Sequence, residues 1–279
     1  MRVFKVRGRG YRLAESLDLL DPEAIAARIA KSAPELRIEF VDECPSTSTL
    51  LAERATGGAR SGVVLACERQ VEGRGRRGNR WVSVVGGSLA FSILWRFPRG
   101  SGSLAGLSLA VAVGAAQAFE RLGIGRVRVK WPNDLLCGGG KMGGILVELS
   151  GEASGPSAAV IGVGINVRLD KAAMDRIGQP ASDLAHCGAR IPPRSILLVA
   201  LLEELGGSLA RFSREGFAPF REEWLRRHAW HGRQVAVSLA GKRVAEGRAV
   251  DIAEDGALVL ESSRGLERFH NGELSLRQR

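Results

Sequence analysis

The chain has 279 residues, of which 45% are hydrophobic and 25% are charged. These values are typical of globular proteins, allow one large domain or two moderate ones, and exclude a wholly disordered chain. The formal net charge of +10 favours an anionic partner such as a nucleotide, a nucleic acid or an acidic protein. A solvated arginine surface would give the same charge, so the charge alone does not select a function.

Cysteine, histidine and apolar patterns limit the classes of protein further. The cysteines form no CxxC pair and show neither disulfide nor zinc spacing, so we expect buried, reduced thiols in a cytoplasmic protein. No carboxylate or cysteine completes a ligand set around the histidines, so a metal held by protein side chains alone is not expected. We also expect no signal peptide and no membrane association, because no leader pattern and no unbroken apolar run of ~18 residues is present.

Predicted strands and helices alternate through the first hundred residues. Asp21 is a good N-cap, Pro22 suits a first helical turn, and Glu23 complements the helix dipole, so a helix should begin there. The patterns predict a hairpin over 1–14, this helix to about residue 31, a strand over 37–41, a helix capped by Ser46 or Ser48, a buried strand over 62–68, an arginine- and glycine-rich loop over 70–80, and a strand over 88–96.

The rest of the chain divides into two parts near residue 230. Residues 103–123 are apolar on most sides and predict a central, buried helix. Next come a strand over 126–130, a turn over 131–134, a flexible stretch over 138–140, a strand pair over 144–150 and 158–163, and helices over 194–213 and 216–228. Short strands are then predicted over 234–239, 243–252, 258–261, 266–269 and 274–276, with turns at 240–242, 254–256 and 271–272. The first part is α/β or α+β, and the second suggests a small barrel.

The sequence EGRGRRGNRW, from Glu72 to Trp81, carries the strongest chemical signal. Its glycines allow the backbone to approach a ligand closely, and its arginines offer fork-shaped donors to phosphate or carboxylate. Each such charged hydrogen bond would stabilise an anion by roughly 1.5–3 kcal/mol. Like charges should repel until an anion binds, so we expect this loop to become ordered on binding. A plain surface loop or a nucleic-acid contact is the alternative interpretation.

Three further motifs follow. In KWPND, a proline-stiffened turn places Asp134 at the end of a strand, where it is expected to hold Mg²⁺ or to orient a lysine. In GGGKMGGILVE, Lys141 stands between glycines at the mouth of a buried strand, where a cation requires an anion. In GVGINV, Asn166 is suited to contact a base or ribose edge. Taken singly, an ordinary turn, a surface lysine and a glycine-broken strand explain them equally well.

Together, and in this order, the motifs resemble the signature of the bacterial biotin protein ligases. That signature is a GRGRRG loop followed by KWPND, K-GGILVE and G-GIN, and an upstream serine–threonine pair matches Ser46 and Thr47. The resemblance covers nearly the whole chain, including the final GE-SLR. Departures that bear on substrate affinity are Pro45, Ser48, Val71, Glu72 and Asn79.

The resemblance implies an α+β fold with a class II synthetase-like mixed sheet and helices, plus a small C-terminal SH3-like β-barrel. The implied domains are a wing remnant and linker over 1–20, a biotin- and ATP-binding catalytic domain over 21–230, and the barrel over 231–279. The implied reaction uses ATP and Mg²⁺ to convert biotin to biotinyl-5′-AMP. The biotinyl group then passes to a lysine of a biotin carboxyl carrier protein, as in biotin–acetyl-CoA-carboxylase ligases.

The resemblance also assigns residues. The implied catalytic residues are Lys141, Arg76 and Asp134. The implied biotin-binding residues are Ser46, Thr47, Ser48, Gln70, Arg74, Gly75, Arg76 and Lys141. The implied ATP-binding residues are Gly73, Arg74, Arg77, Trp81, Asn133, Asn166 and Arg277. No metal is expected on protein ligands alone, since Mg²⁺ would arrive with ATP.

Several alternatives stay open at this stage. Residues 3–13 resemble the last wing strand of the winged helix-turn-helix in two-domain members of the family. The helices that would enter a DNA groove are missing, so specific DNA binding is not expected. A homodimer through an edge of the central sheet is open. The rival functions are a nucleic-acid-binding regulator with weak or no ligase activity and a lipoate or octanoate ligase. The latter enzymes share the scaffold but lack the GRGRRG loop paired with KWPND.

Overall fold

The computed structural model describes residues 3–8, 10–13, 17–178, 180–188, 190–239, 242–270 and 274–278. Its helices are α1 (Pro22–Ser32), α2 (Thr47–Thr56), α3 (Leu107–Arg121), α4 (Lys171–Ile177), α5 (Arg194–Glu215) and α6 (Arg221–Arg227). Its strands are β1 (Val3–Val6), β2 (Gly10–Leu13), β3 (Arg37–Cys44), β4 (Val63–Gln70), β5 (Ser88–Phe97), β6 (Arg128–Lys130), β7 (Asp134–Cys137), β8 (Gly140–Gly151), β9 (Ser157–Asn166), β10 (Gln234–Leu239), β11 (Lys242–Ile252), β12 (Leu258–Ser262), β13 (Gly265–Phe269) and β14 (Leu274–Gln278).

A seven-stranded mixed sheet forms the centre of the molecule, in the order β3-β4-β5-β9-β8-β7-β6. Strands β3 and β4 are parallel, and the remaining neighbours are antiparallel. Helix α3 packs between this sheet and α5, which explains why its residues are apolar on nearly every side. The segment Ser101–Arg121 is apolar and long enough to cross a membrane, but its apolar window is 72% buried, as in a core helix.

The local signals for the first two helices are confirmed. The side chain of Asp21 accepts a hydrogen bond from the Ala24 amide at 3.0 Å and so caps α1. Of the two serines offered for α2, Ser46 is the cap, because its hydroxyl accepts from the Thr49 amide at 3.4 Å. Each cap satisfies a backbone amide that would otherwise lack a partner at the helix start.

The middle of the chain differs from the sequence prediction in three places. Residue 134 already belongs to β7, so the predicted turn is the tight connection between β6 and β7. Gly138 and Gly139 have positive φ and form the turn into β8, so this glycine stretch joins two paired strands and is not a free linker. Helix α4, capped by Asp170, was not predicted because it is short and mostly exposed.

The final strands form a five-stranded sheet in the order β13-β12-β11-β10-β14, which confirms the predicted strand positions. Within the described residues, β13 and β14 each pair with one neighbour, so the sheet is not shown to close into a barrel. The predicted turns at 240–242 and 271–272 fall wholly or partly outside the described residues. The Trp131 indole donates to the Gly256 carbonyl at 3.2 Å and thereby links this sheet to the central one.

The prediction of four reduced thiols is wrong for one pair. Cys137 and Cys187 are joined by a disulfide, although they are 50 residues apart in sequence. Only the fold brings the end of β7 beside the turn that follows Asp183, so sequence spacing does not reveal the pair. Cys44 and Cys67 are free and buried, on the parallel neighbours β3 and β4.

A buried histidine stands where the part of the chain that holds the central sheet meets the C-terminal strands. His228 stacks on Trp224 with ring centroids 4.5 Å apart, and its Nε2 has no hydrogen-bond partner among the described residues. Burial, with a smaller contribution from His231, lowers the pKa of His228 to about 3. An unfolded histidine has a pKa of about 6.5, so acid favours the unfolded chain.

Replacing His228 with phenylalanine should therefore make the protein less sensitive to acid. Below about pH 6.5 this histidine is protonated in the unfolded chain but neutral in the folded protein. The free energy of unfolding therefore falls by about 1.4 kcal/mol per pH unit. Urea unfolding should show that, from pH 7 to pH 5, the free energy of unfolding of the unsubstituted protein falls by roughly 2 kcal/mol more than that of the variant. An equal decrease in the free energy of unfolding for the two proteins would contradict the prediction.

Candidate active site

An open cleft lies over one face of the central sheet and occupies about 1170 Å³, its mouth included. Concave clefts that combine apolar walls with a few convergent polar groups are the usual sites of small-molecule binding. Strands β8 and β9 form its floor, the arginine- and glycine-rich loop covers one side, and Leu276 and Arg277 of β14 reach its rim. The cleft therefore lies where the two parts of the chain meet.

The loop folds back on itself. Gly75 donates its amide to the Asn79 carbonyl at 2.7 Å, and Trp81 donates to the Gly73 carbonyl at 2.8 Å. Arg77 occupies the left-handed region at φ 59°, which is uncommon for a residue other than glycine. These contacts shape the loop as a small hairpin that presents several arginines on one side.

Two arginines of this loop contact strand β8 and the β6–β7 turn beneath it. Arg74 pairs with Glu148 on β8 at 2.5 Å, and Arg76 donates to the Asn133 Oδ1 at 3.3 Å. Asn133 in turn donates to the Ile145 carbonyl at 2.6 Å. Burial, and then the proximity of Arg77, lower the pKa of Arg76, so an anion in the cleft would relieve both effects.

A network of hydroxyl and amide groups forms one end of the cleft. Gln70 Oε1 accepts from both the amide and the hydroxyl of Thr47, at 2.8 and 3.1 Å. Ser92, on β5, contacts the hydroxyls of Thr47 and Ser48 at 2.8 and 3.0 Å. A Cβ on Gly162 would lie 2.5 Å from Ser48 Oγ, so a side chain at this point of the floor would displace that hydroxyl. This end can bind a compact polar group.

Directly paired residues run in a row across the sheet from β6 to β9. Lys130 pairs with Asp134, Asp134 with Gly144, and Gly144 with Gly164. Residues directly opposite each other in antiparallel strands point to the same face, so the whole row faces the cleft. Its charged end is formed by Lys130 and Asp134, and its bare part, which has no side chains, by Gly144 and Gly164. Lys141 Nζ lies over the bare part, 3.3 Å from where a Cβ on Gly144 would be.

The charged end of this row is a carboxylate between two ammonium groups. Asp134 Oδ1 lies 2.7 Å from Lys141 Nζ, and its Oδ2 lies 2.8 Å from Lys130 Nζ. Burial would raise the pKa of Asp134, but the charges and hydrogen bonds of Lys141 and Lys130 outweigh it, and the pKa falls below its ordinary value. Asp134 is thus ionised. Its contacts with both lysines fit the interpretation that it orients a lysine.

The other end of the cleft combines an indole ring with a buried amide. The Trp81 ring lies directly on Gly164, where a Cβ would come within 2.6 Å of the ring. Asn166 is 3% exposed and donates its Nδ2 to the Ser182 carbonyl at 3.0 Å. Its Oδ1 and the Trp81 Nε1 are buried without a partner among the residues described. A ligand with a hydrogen-bond donor would satisfy Asn166 Oδ1.

The structure brings nearly all predicted site residues to this cleft. Those lining it are Thr47, Ser48, Gln70, Arg74, Gly75, Arg76, Arg77, Trp81, Asn133, Asp134, Lys141, Asn166 and Arg277. Ser46 does not line it, since its hydroxyl caps α2. Gly73 lies on the outer side of the loop, where its carbonyl anchors Trp81.

Comparison with known proteins identifies the family of the chain. Residues 40–166 match the Biotin/lipoate A/B protein ligase family, and residues 231–277 match the Biotin protein ligase C terminal domain. The bifunctional ligase/repressor BirA of Salmonella typhimurium is 35% identical over 275 residues, covering 99% of this chain and 84% of that protein. The chain belongs to the biotin protein ligase family.

Two further relatives support this membership. The biotin–acetyl-CoA-carboxylase ligase of Paracoccus denitrificans is 34% identical over 232 residues, which cover 79% of this chain and 92% of that ligase. The biotin protein ligase of Aquifex aeolicus, solved in complex with biotin and ATP, superposes with a TM-score of 0.75 at 27% identity. That superposition covers 87% of this chain and 99% of the other. The mixed α/β fold is thus that of a biotin protein ligase.

Sequence reasoning missed several residues in and around the cleft. Ser92 holds the hydroxyl network but lies in an ordinary strand pattern that gives no signal. Lys130 belongs to the KWPND motif, and its burial beside Asp134 was not anticipated. The segment 180–182 hydrogen-bonds to the backbone of Lys141 and to Asn166, and nothing in its sequence indicates this position.

Proposed function

We propose that this cleft joins biotin to ATP and then transfers the biotinyl group to a carrier lysine. The observation that carries the proposal is the ammonium of Lys141, held by Asp134 over the bare middle of the cleft floor. On β9, Gly162, Gly164 and Asn166 alternate along one face and span roughly 13 Å from the first to the last. An extended acyl adenylate can lie along this line, with its acyl phosphate beside Lys141.

The ends of the line suit the two halves of that compound. We assign biotin to the end formed by Thr47, Ser48 and Gln70, whose groups can bind its polar ring, with Leu146 as an apolar wall. We assign adenine to the end formed by Trp81 and Asn166. The buried Oδ1 of Asn166 lacks a donor that the adenine amino group would supply. Arg277 and Asn133 border the nucleotide, and Arg74, Gly75, Arg76 and Arg77 border the phosphates.

The chemistry follows from these charges. A biotin carboxylate oxygen attacks the α-phosphorus, a new P–O bond forms, and the bond to the β-phosphate oxygen breaks to release pyrophosphate. Lys141 and Arg76 stabilise the negative charge on the phosphoryl oxygens. The amine of the carrier lysine then loses a proton and attacks the acyl carbon, so that a C–N bond forms while the C–O bond to AMP breaks. We treat Mg²⁺ as part of the Mg–ATP substrate.

The arginine- and glycine-rich loop is proposed to exclude water from the intermediate. A mixed anhydride is readily hydrolysed, so its yield depends on a closed site. Arg74 binds Glu148 on β8, Arg76 binds Asn133 in the β6–β7 turn, and these contacts hold the loop over the cleft. Its side chains become further ordered when the phosphates neutralise their charges.

The finer architecture and cellular location are also proposals. We propose a catalytic domain over 21–230 and a class II synthetase-like arrangement of its sheet. For 231–279 we propose a barrel of the SH3 type, supported by five consecutive antiparallel strands. A cytoplasmic location is proposed because the reaction consumes ATP.

A homodimer is proposed through the outer part of β8. Residues 146–151 pair with β9 on one side, and among the described residues their other side has no partner strand. Leu149 is 44% exposed there. Exposed edges of this kind can pair with another copy. Sedimentation with and without biotin and ATP measures the association, and Leu149→Lys should weaken it.

The rival regulatory function predicts different behaviour. The described hairpin β1–β2 carries basic and aromatic side chains, but it consists of two short strands and offers no helix to a DNA major groove. We propose that this chain binds no specific operator. A gel shift at ~150 mM salt with nanomolar, sequence-specific retardation and no ligase activity would favour the regulator.

The proposal is tested by two assays on the same preparation. Biotin-dependent exchange of labelled pyrophosphate into ATP reports adenylate formation. Mass spectrometry of a biotin carboxyl carrier domain reports transfer to lysine. We expect both activities with biotin and neither with lipoate or octanoate, and activity with lipoate alone would identify the rival ligase.

A further inference from the structure

Asp134 has two cationic partners, although one would be enough to neutralise it. The side chains of Asp134 and Lys130 are 12% and 10% exposed, whereas that of Lys141 is 24% exposed. The two lysines contact different carboxylate oxygens, so neither blocks the other. All three line the cleft, but the inner pair, Lys130 and Asp134, is the more buried, and the outer ammonium of Lys141 is the more exposed. The reaction described above assigns no role to the inner lysine.

Lys130 is also held from its far side. Its Nζ lies 5.3 Å from the centre of the Trp230 ring, an arrangement in which the ring attracts the cation. Burial, in spite of the attraction of Asp134, lowers the pKa of Lys130, and Arg277 and Lys141 add to this effect. Lys130 is thus fixed between a ring and a carboxylate.

We infer that Lys130 is the permanent counter-ion of Asp134 and that it frees Lys141 to follow the reacting phosphate. This inference rests on the proposed adenylation reaction. To stabilise a phosphoryl oxygen, the Lys141 ammonium must share or leave its contact with Asp134. Without Lys130, that movement would leave a buried carboxylate with no cation, which is strongly unfavourable. With Lys130 in place, the carboxylate stays neutralised throughout.

Lys130 is accordingly a positioning residue, and its effect should depend on the charge of Asp134. In the Lys130→Met variant, Lys141 becomes the sole partner of the carboxylate and is retained by it. We expect the turnover number for biotin-dependent pyrophosphate exchange to fall by about 10²-fold, with the KM values for biotin and ATP changed by less than about threefold. Lys130→Arg, which keeps the charge, should stay within about tenfold of the unsubstituted protein.

A double-mutant cycle separates this role from a purely structural one. In the Asp134→Asn background no carboxylate remains to trap Lys141, so adding Lys130→Met should change the turnover number by less than about threefold. The turnover number of the double variant should also exceed that of Lys130→Met alone. Lys171→Met is the matched control, because Lys171 and Asp175 form an exposed lysine–aspartate pair at the same spacing. It should leave exchange unchanged.

The outcomes are distinguishable. Near-normal exchange by a folded Lys130→Met variant would refute the inference alone. An equal loss from Lys130→Met in both backgrounds would also refute it, since a packing defect does not depend on the carboxylate. If Lys130→Met proves unfolded by circular dichroism, the comparison of Asp134→Asn with the double variant still decides: a loss above about tenfold contradicts the inference. No exchange by the unsubstituted chain would refute the proposed function and the inference with it.

Discussion

Replacing Lys141 with methionine should slow biotinyl-adenylate formation by about 10²–10³-fold, the usual effect of losing one preorganised donor to a developing negative charge. Methionine keeps the unbranched stem but removes the ammonium that lies over Gly144. Rapid quenching after mixing biotin, ATP and enzyme gives the rate of the chemical step directly. The affinity for biotin should change much less, since the contacts of Thr47 and Gln70 remain.

The control for this substitution is Lys171→Met, which removes an exposed ammonium that also pairs with an aspartate. It should leave the rate unchanged. A Lys141→Met variant that forms the adenylate within about fivefold of the unsubstituted rate would remove Lys141 from the chemistry. The stabilisation would then have to come from the arginines of the loop.

Alanine substitutions at two glycines of β9 should weaken the binding of different substrates. In Gly164→Ala the new Cβ would meet the Trp81 ring at 2.6 Å, so this large ring would have to shift. Such overlaps cost about 1–3 kcal/mol, so the KM for ATP should rise by about 5- to 150-fold with little change for biotin. Isothermal titration with each substrate measures the two affinities independently.

The companion substitution should affect the other substrate. In Gly162→Ala the new Cβ would meet the Ser48 hydroxyl at 2.5 Å and disturb its contact with Ser92. Because one hydroxyl can rotate, we expect a smaller loss than for Gly164→Ala, and the loss should concern biotin. Gly207→Ala, at an open position on α5, controls for the substitution itself. Equal effects of both β9 substitutions on both substrates would contradict the assignment of the cleft ends.

The positions of most elements follow from local physics. The cap and proline at Asp21 and Pro22 fix the start of α1, and alternating apolar residues fix the strands from Gln234 onward. These signals lie within a few residues of the structure they specify. The short, exposed helix α4 lacks such periodicity and was therefore missed.

The motifs of the site were also visible in the sequence, but their spatial relations were not. Nothing local indicates that Gly164 lies under Trp81 or that Gly162 faces Ser48. Both contacts depend on how β9 is placed against distant segments. The disulfide between Cys137 and Cys187 and the burial of Lys130 are likewise products of the tertiary fold.

Glycines in the motifs acquire a physical meaning once the sheet register is known. Gly144 and Gly164 face each other on β8 and β9, and this bare pair is where the Lys141 ammonium and the Trp81 ring lie. A side chain at Gly144 would fill the space proposed for the acyl phosphate, and one at Gly164 would displace the Trp81 ring. The motifs KMGGILVE and GVGINV therefore supply the glycines that form the floor of the cleft as well as the side chains proposed to contact the substrates.

The most direct test of this account is a single turnover with biotin, α-labelled ATP and an excess of enzyme, without carrier. We predict that one labelled biotinyl-AMP forms per active site and stays bound. On addition of the carrier domain it should be consumed, with one AMP released and one lysine biotinylated. Cleavage of ATP without a biotin-linked nucleotide, or no cleavage at saturating substrates, would contradict the central claim.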